Sequence, residues 1–252
     1  MQSIYTAASG LSSQQTRLDI IASNIANSDT AGYKSTRADF KDALYSLMDD
    51  PVGNSEAANL LRGSGVVLSA TNTDFTDGTI SKTGESLDFA INGSGFFSVE
   101  NENGQTLYTR NGNFSVSSEG NNRYLVTAQG YYVLDANGNK ISLPDENTEI
   151  SVSDGGALST PDGIFARLGI ATFTNPNGLS AAGDTCFSAT DTSGKPTAFN
   201  GASVVQGSLE KSNVDLAEEM TLLIRSQRAY SLASRALQTA DEMEGLANNM
   251  HH

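Results

Sequence analysis

The chain has 252 residues, which is enough for one large domain or two small ones. It carries 29 acidic and 15 basic residues, a formal net charge of −14, which argues against nucleic acid as the main partner. No apolar run reaches the length of a membrane span, and no basic region precedes an apolar stretch at the N-terminus, so we expect neither a transmembrane helix nor a secretory signal peptide.

The sequence offers little for catalysis or metal binding. Cys186 is the single cysteine, which excludes an internal disulfide and is typical of a small buried apolar residue. His251 and His252 are the last two residues, so no histidine-based site is expected inside the fold. The carboxylates are scattered over turns, and no serine lies in a Gly-x-Ser-x-Gly motif. We therefore predict no catalytic residue, cofactor or metal, with a hydrolase using two distant carboxylates as the enzymatic alternative.

In chain order, the first predicted element is a helix from residue 1 to about residue 28. Apolar residues at seven-residue steps predict a narrow seam that packs against another helix. The seam consists of Ile4, Leu11, Leu18 and Ile25, with Ala7, Gln14 and Ile21 at the interleaved positions. Gly10 in the middle costs about 1 kcal/mol relative to alanine, so the helix is weak on its own.

The end of this helix carries a distinctive motif, ASNIANSDTAGYK, at residues 22–34. Its Asn, Ser and Asp side chains compete for backbone hydrogen bonds and end the helix, and Gly32 permits a turn with positive φ. The motif resembles the N-terminal signature of the flagellar axial proteins, the family of rod, hook and hook-associated proteins. The matching residues are Asn24, Ala26, Asn27, Thr30, Gly32, Tyr33 and Lys34, while Ser23 departs from the usual Asn.

Residues 35–70 are predicted to be a connecting segment. The helical spacing of its apolar residues predicts a short amphipathic helix from Arg37 to Met48, which ends before Pro51. The following stretch, residues 54–69, is rich in small residues and is interpreted as an extended linker. Its Gly63-Ser64-Gly65-Val66 sequence resembles a segment that joins helices to a β-domain in rod proteins.

Between residues 71 and 211 the pattern changes to period two with frequent turn residues. Short apolar runs bounded by Asn-Gly, Glu-Gly or Gln-Gly predict an antiparallel β-domain with a twisted or partly closed sheet. These runs are 87–91, 95–99, 107–109, 113–116, 124–127 and 131–134. Residues 87–99 and 108–114 are also similar to the shared β-domain core of rod and hook proteins.

The last predicted element is a long helix within residues 212–252. Its apolar stripe consists of Leu216, Met220, Leu223, Tyr230 and Leu237, with Gln227, Ala233 and Ala240 as smaller or polar contacts. Ser212 and Asp215 are predicted to form a capping box, with Asn213 as a rival cap. Residues 207–220, including Ser212, Asn213 and Val214, resemble the C-terminal signature of the same family.

Together these elements predict an α+β fold. The N- and C-terminal helices, residues 1–34 and 212–252, are expected to form a discontinuous coiled-coil-like α-domain. Residues 35–70 connect it to a central antiparallel β-domain at residues 71–211. Taken alone, the C-terminal helix could equally fold onto the core of its own chain.

The resemblance implies a structural subunit that polymerises into the flagellar rod, the shaft joining the motor to the hook, by helical packing of its terminal helices. The predicted subunit-interface residues are Ile4, Leu11, Leu18, Ile21, Ile25, Leu216, Met220, Leu223, Tyr230 and Leu237. The implied partners are other copies of the chain, neighbouring rod and hook subunits, the flagellar type III export apparatus and the bushing rings around the rod.

The resemblance also implies a location in the flagellar basal body. Length, the Gly-x-Gly-Val segment and the uninterrupted β-domain favour the distal part of the rod. The alternatives are a proximal rod paralogue, a short hook-type subunit and, from a different class, an extracellular β-domain binding module. The binding module would leave the two terminal helices without a purpose.

Overall fold

The computed structural model describes residues 2–47, 61–120, 122–144, 150–153, 155–198, 201 and 203–249, with side chains for all of these except 2–4, 45–47, 61–62, 244 and 247–249. The chain divides into two compact units. The helical unit comprises residues 1–26, 36–73 and 215–252, and the β unit comprises residues 27–35 and 74–214. None of the described helices combines the length and apolar composition that a membrane span requires.

Two long helices dominate the helical unit, α1 at Gln2–Ala26 and α2 at Leu216–Asn249, as the periodicity predicts. They pack against each other and run antiparallel, because the end of α1 meets the start of α2 in a hydrogen bond between Asn24 and Glu219 of 2.8 Å.

The start of α2 is capped by Asp215. Its Oδ1 accepts hydrogen bonds from the backbone N–H groups of Ala217 and Glu218, at 2.9 and 3.1 Å. The predicted capping by Ser212 or Asn213 is therefore wrong. The helix begins later than the capping box requires, and the side-chain amide of Asn213 binds elsewhere.

The rest of the helical unit consists of four strands, β1 at Thr36–Asp42, β2 at Tyr45–Leu47, β3 at Leu61–Gly63 and β4 at Val66–Thr73. β1 pairs antiparallel with β4 from Thr36 opposite Thr73 to Asp42 opposite Val66, and β2 pairs with β3.

The predicted helix from Arg37 to Met48 is thus wrong within the described residues, and so is the linker interpretation of residues 66–69. Pairing with β4 satisfies the backbone of β1, and this long-range gain outweighs the local helical spacing. Met48, Pro51 and residues 54–60 lie outside the described residues.

The β unit holds seventeen described strands and one short 3-10 helix, Pro176–Gly178. The strands are β5 Ile80–Lys82, β6 Phe89–Asn92, β7 Phe96–Glu100, β8 Thr106–Thr109, β9 Phe114–Glu119, β10 Asn122–Thr127, β11 Tyr132–Val133, β12 Ser142–Leu143, β13 Ser151–Val152, β14 Ala157–Thr160, β15 Gly163–Arg167, β16 Ile170–Thr172, β17 Ser180–Gly183, β18 Cys186–Ser188, β19 Thr197–Ala198, β20 Ser203–Gln206 and β21 Ser208–Glu210.

The largest sheet of the β unit has the order β12-β10-β11-β7-β8-β18-β17, with β9 on β10, β16 on β7 and β19 on β16. Smaller sheets pair β13-β14-β15, β20 with β6 and β21 with β5. Every strand pair among the described residues is antiparallel, so the predicted α+β fold with a central antiparallel region is confirmed.

The β unit has a dense apolar core. Its main cluster includes Phe89, Phe97, Val99 and Val133, none of which is measurably exposed, and each contributes on the order of 1.5–3 kcal/mol by burial. Cys186 belongs to this cluster, and burial raises the pKa of its thiol to about 11. The thiol therefore stays protonated and unreactive near neutral pH, in keeping with the predicted buried apolar role.

Candidate assembly site and a buried ionic network

The inner face of the helix pair is formed on α2 by buried and half-buried positions. They include Glu219, Leu223, Ser226, Tyr230, Ala233, Leu237 and Ala240, and Ala229, Ser231 and Ser234 are half-buried as well. On α1 the corresponding buried or half-buried apolar positions are Leu11, Leu18, Ile21 and Ile25, while the side chain of Ile4 lies outside the described part. Of the predicted interface residues on α2, only Leu223, Tyr230 and Leu237 lie on this inner face.

A second set of apolar residues on α2 is exposed, and we call this set the exposed face of the helix. The predicted interface residues Leu216 and Met220 belong to it, at 42 and 50 % exposure, and so do residues that the sequence reasoning missed. The missed residues are Ile224, Leu232, Met243 and Leu246, which are 51 to 71 % exposed. The sequence pattern of α2 could not separate exposed from covered positions, because Leu216 lies seven residues before Leu223 on the same stripe yet is exposed. An apolar face of this kind is typical of an association surface.

A groove of about 650 Å³ lies within the helical unit, between α1, β1 and the first half of α2. Asn24 joins its three walls. The Asn24 side chain accepts a hydrogen bond from Thr36 N at 3.0 Å and donates to Thr36 O and Glu219 Oε1, each at 2.8 Å. Asn24, which belongs to the N-terminal signature, is 2 % exposed, and its hydrogen bonds connect α1 to β1 and α2.

Two acceptor atoms in this groove are buried without a hydrogen-bond partner among the described residues, Gln14 Oε1 and Glu219 Oε2. Burial raises the pKa of Glu219 above its ordinary value of 4.5, and the hydrogen bond from Asn24 opposes that shift.

In the β unit, the carboxylate of Glu210 organises a buried ionic network. Its Oε1 accepts hydrogen bonds from Lys34 Nζ at 2.6 Å and from Gly78 N at 2.8 Å, and its Oε2 accepts one from Arg110 Nη1 at 3.1 Å. The side chains of Lys34, Glu210 and Arg110 are 0, 1 and 3 % exposed. Asp77, which is 55 % exposed, pairs with the other end of Arg110 at 3.0 Å, so two cations face two anions.

Burial lowers the pKa of Lys34 below its ordinary value of 10.5, while its hydrogen bond to Glu210 and the charge of Glu210 oppose that shift. Lys34 Nζ also donates to the Thr76 carbonyl at 2.6 Å. Because Lys34 and Arg110 already take both oxygens of Glu210, that carboxylate is not free to act as an acid or base. Each charge of the network depends on its partners, because a buried charge that loses its partner is costly.

Other signature residues connect the segment that follows α1 to the segment that precedes α2. Asn213 Oδ1 accepts a hydrogen bond from Ser35 N at 2.7 Å, and its Nδ2 donates to Asp74 O at 2.8 Å. The N–H of Gly32 donates to Glu210 O at 2.8 Å. Gly32 has φ +68°, and a Cβ there would overlap the backbone of Asn111, which explains the glycine.

The other signature residues have local roles. Thr30 Oγ1 donates to Asn27 Oδ1 at 3.2 Å, Tyr33 N donates to Thr30 O, and Ser212 Oγ accepts from Val214 N at 3.3 Å. Ala26 is the exposed last residue of α1. The sequence reasoning named Lys34 but missed its partner Glu210, because 176 residues separate the two and nothing local links them. It also missed Arg110, the second cation that binds this carboxylate.

Among the described residues, no group of three or more His, Cys, Asp or Glu side chains is arranged to hold a metal ion. The two distinctive features of the described residues are the helix pair of α1 and α2, with its exposed apolar residues, and the buried ionic network around Glu210.

Comparison with known proteins identifies the family to which a chain with these features belongs. Residues 4–34 match the "Flagella basal body rod protein" family, residues 90–160 the "Flagellar hook protein FlgE/F/G D1 domain", and residues 205–250 the "Flagellar basal body rod FlgEFG protein C-terminal" family. Flagellar basal-body rod protein FlgG of Borreliella burgdorferi is 38 % identical over 99 % of this chain and 98 % of its own length. The FlgG proteins of Agrobacterium fabrum and Bacillus subtilis are 39 and 35 % identical, covering 98 and 96 % of this chain and the same shares of their own lengths.

The chain belongs to the FlgG family of flagellar basal-body rod proteins. It is a structural subunit of the flagellar rod, located in the basal body. The family matches fall on the features described above. The N-terminal match ends at Lys34, the central match includes Arg110, and the C-terminal match includes Glu210 and the whole signature that leads into α2.

Proposed function

We propose that this FlgG-family subunit polymerises by helical packing of α1 and α2 between copies, in a coiled-coil-like arrangement of the terminal helices. The observation that supports this most directly is the exposed apolar face of α2. Leu232 and Leu246 are 65 and 63 % exposed on the single chain, and a second copy offers matching apolar surface.

In this proposal the filament is stabilised by many weak contacts between subunits rather than by one strong contact. Each half-exposed leucine or isoleucine that becomes buried contributes on the order of 1 kcal/mol, so a single helix-to-helix contact is weak. If two different surfaces of each copy meet, the contact does not close on itself and continues as a helical filament. A filament then gains stability from many such contacts, whereas free subunits stay apart.

Nine of the ten predicted interface residues divide between two tasks in this proposal, and the side chain of Ile4 lies outside the described part. Leu223, Tyr230 and Leu237, with the described seam residues of α1, hold the helix pair together, and Leu216 and Met220 are exposed for contact with other copies. The helix pair is thus the building block, and its outer face is the contact between blocks.

We assign the subunit to the distal part of the rod. Support comes from FlgG relatives that match it over nearly their whole length, and from its uninterrupted β-domain and Gly63–Val66 segment. Its proposed partners are other copies, neighbouring rod and hook subunits and the bushing rings around the rod. Family membership also supports passage through the flagellar type III export apparatus before assembly.

Replacing Ile224 by Asp tests the proposal. Ile224 is 51 % exposed, so the substitution should leave the helix content of the free chain unchanged, but a buried unpaired carboxylate would block the contact between copies. Purified wild-type protein should form sedimentable filaments visible by electron microscopy, and Ile224→Asp should not.

Ile164→Asp is the matched control. Ile164 is 73 % exposed on β15 of the β unit, and this variant should assemble like the wild type. Normal filaments from Ile224→Asp would show that the exposed face of α2 is not a subunit contact.

A further inference from the structure

We propose that the groove between α1, β1 and α2 accepts the acidic end of α2, at Asp241 and Glu242, from a second copy of this chain. The inference rests on the proposed polymerisation and deepens it, because it names the surface and the segment that meet. Both lie in the helical unit, at opposite parts of α2.

The lining of the groove has more basic than acidic side chains, although the protein as a whole is acidic. Three arginines from three different elements line it, Arg17 on α1, Arg37 on β1 and Arg225 on α2. All three side chains are exposed, whereas the two carboxylates of the same lining are half-buried. The net charge of the chain is −14, whereas the groove is lined by three basic and two acidic side chains.

The guanidinium groups are available to a partner. Arg225 has no carboxylate within ion-pair distance among the described residues. The guanidinium carbon of Arg17 lies over the ring of Phe40, 5.1 Å from its centroid, and Arg17 forms no ion pair within the described part of the chain. Arg37 pairs with Asp39 at 3.4 Å, but their side chains are 78 and 44 % exposed, so this pair is weak and exchangeable.

The occupant must be rich in carboxylates and must reach the groove from outside. Asp241 and Glu242 are exposed near the end of α2, and neither forms an ion pair within the described part of the chain. Carboxylates are the groups that arginine binds best, often through two parallel hydrogen bonds.

The acidic end cannot reach the groove of its own chain. Sixteen residues separate Arg225 from Asp241, and a helix rises 1.5 Å per residue, so about 24 Å of rigid helix keeps them apart. A second copy is therefore the source. Because the groove and the acidic end are different surfaces, each copy can bind one neighbour with its groove and another with its acidic end, and the chain of contacts continues.

Charge reversal on each side tests this contact. Arg225→Glu and Glu242→Arg should each raise the critical concentration for filament formation at least about tenfold, because each replaces an attraction with a repulsion. The double variant, Arg225→Glu with Glu242→Arg, should recover to near the wild-type value. An equimolar mixture of the two single variants should also assemble, because each groove then finds an opposite charge on the other variant.

Arg228→Glu is the control, since Arg228 is exposed on the same helix but does not line the groove; it should change the critical concentration less than about threefold. Circular dichroism should show the same helix content in every variant. Single variants that assemble like the wild type, or a mixture that fails to recover, would overturn the contact while leaving polymerisation intact. If the proposed polymerisation itself is wrong, the wild-type protein will form no filament.

Discussion

Replacing Glu210 by Gln removes one charge from the centre of the buried network and almost no volume. Lys34 and Arg110 would then stay buried while their shared carboxylate is gone. The amide can still accept a hydrogen bond through its oxygen, but its NH₂ group would face a lysine or arginine donor. One of the two cations therefore loses its hydrogen-bond partner as well as its counter-charge.

The cost follows from burial. Breaking a buried ion pair by removing one partner typically costs about 3–5 kcal/mol, because an uncompensated charge remains in a poorly solvated place. Asp77 still neutralises part of the charge of Arg110 at 3.0 Å, so Lys34 carries most of the loss. Since whole domains are stable by only about 5–15 kcal/mol, we expect Glu210→Gln to lower the free energy of unfolding of the β unit by about 3–5 kcal/mol.

Cys186 supplies an internal probe for the measurement. It is 3 % exposed in the core of the β unit, and with its pKa at about 11 only about one thiol in a thousand is ionised at pH 8. Alkylation of this single cysteine therefore reports opening of the β unit. Urea titrations followed by alkylation at pH 8 should show the midpoint for Glu210→Gln well below that of the wild type.

Glu100→Gln is the control for this experiment. Glu100 pairs with Lys140 at 3.2 Å, but the two side chains are 25 and 39 % exposed, so its loss should cost at most about 1 kcal/mol. If Glu210→Gln proves no more costly than Glu100→Gln, the charge of Glu210 is not needed for the stability of the β unit.

Two further substitutions separate backbone from side-chain effects. Gly32→Ala combines positive φ with overlap on Asn111, so it should lower the free energy of unfolding in urea by more than about 2 kcal/mol. Gly104 has φ +75° with open space around it, so Gly104→Ala should lower that free energy by only about 1–2 kcal/mol. Equal losses would contradict the close approach of the backbone at Gly32. Asp215→Ala should destabilise α2 by about 0.5–2 kcal/mol in thermal unfolding followed by circular dichroism, and Ser212→Ala should cost less, since Asp215 is the cap; the reverse order would restore the predicted capping box.

The sequence by itself determined the secondary structure of the long and strongly periodic parts. The seven-residue spacing of Leu11, Leu18 and Ile25 predicts α1, and the period-two runs between turn residues predict the antiparallel sheets. Such patterns are local, since each needs only the period of one element and the polarity of its residues, and this is why they can be read without a structure.

Tertiary structure decided where local signals conflict or are absent. Residues 37–47 have helical spacing, yet β1 is a strand because β4 and Asn24 supply hydrogen bonds that no local window contains. The inner and outer faces of α2 became distinct only when α1 packed on one of them. Lys34 and Glu210 are 176 residues apart in the sequence. A buried charge is stable only beside its partner, and folding alone brings these two side chains together.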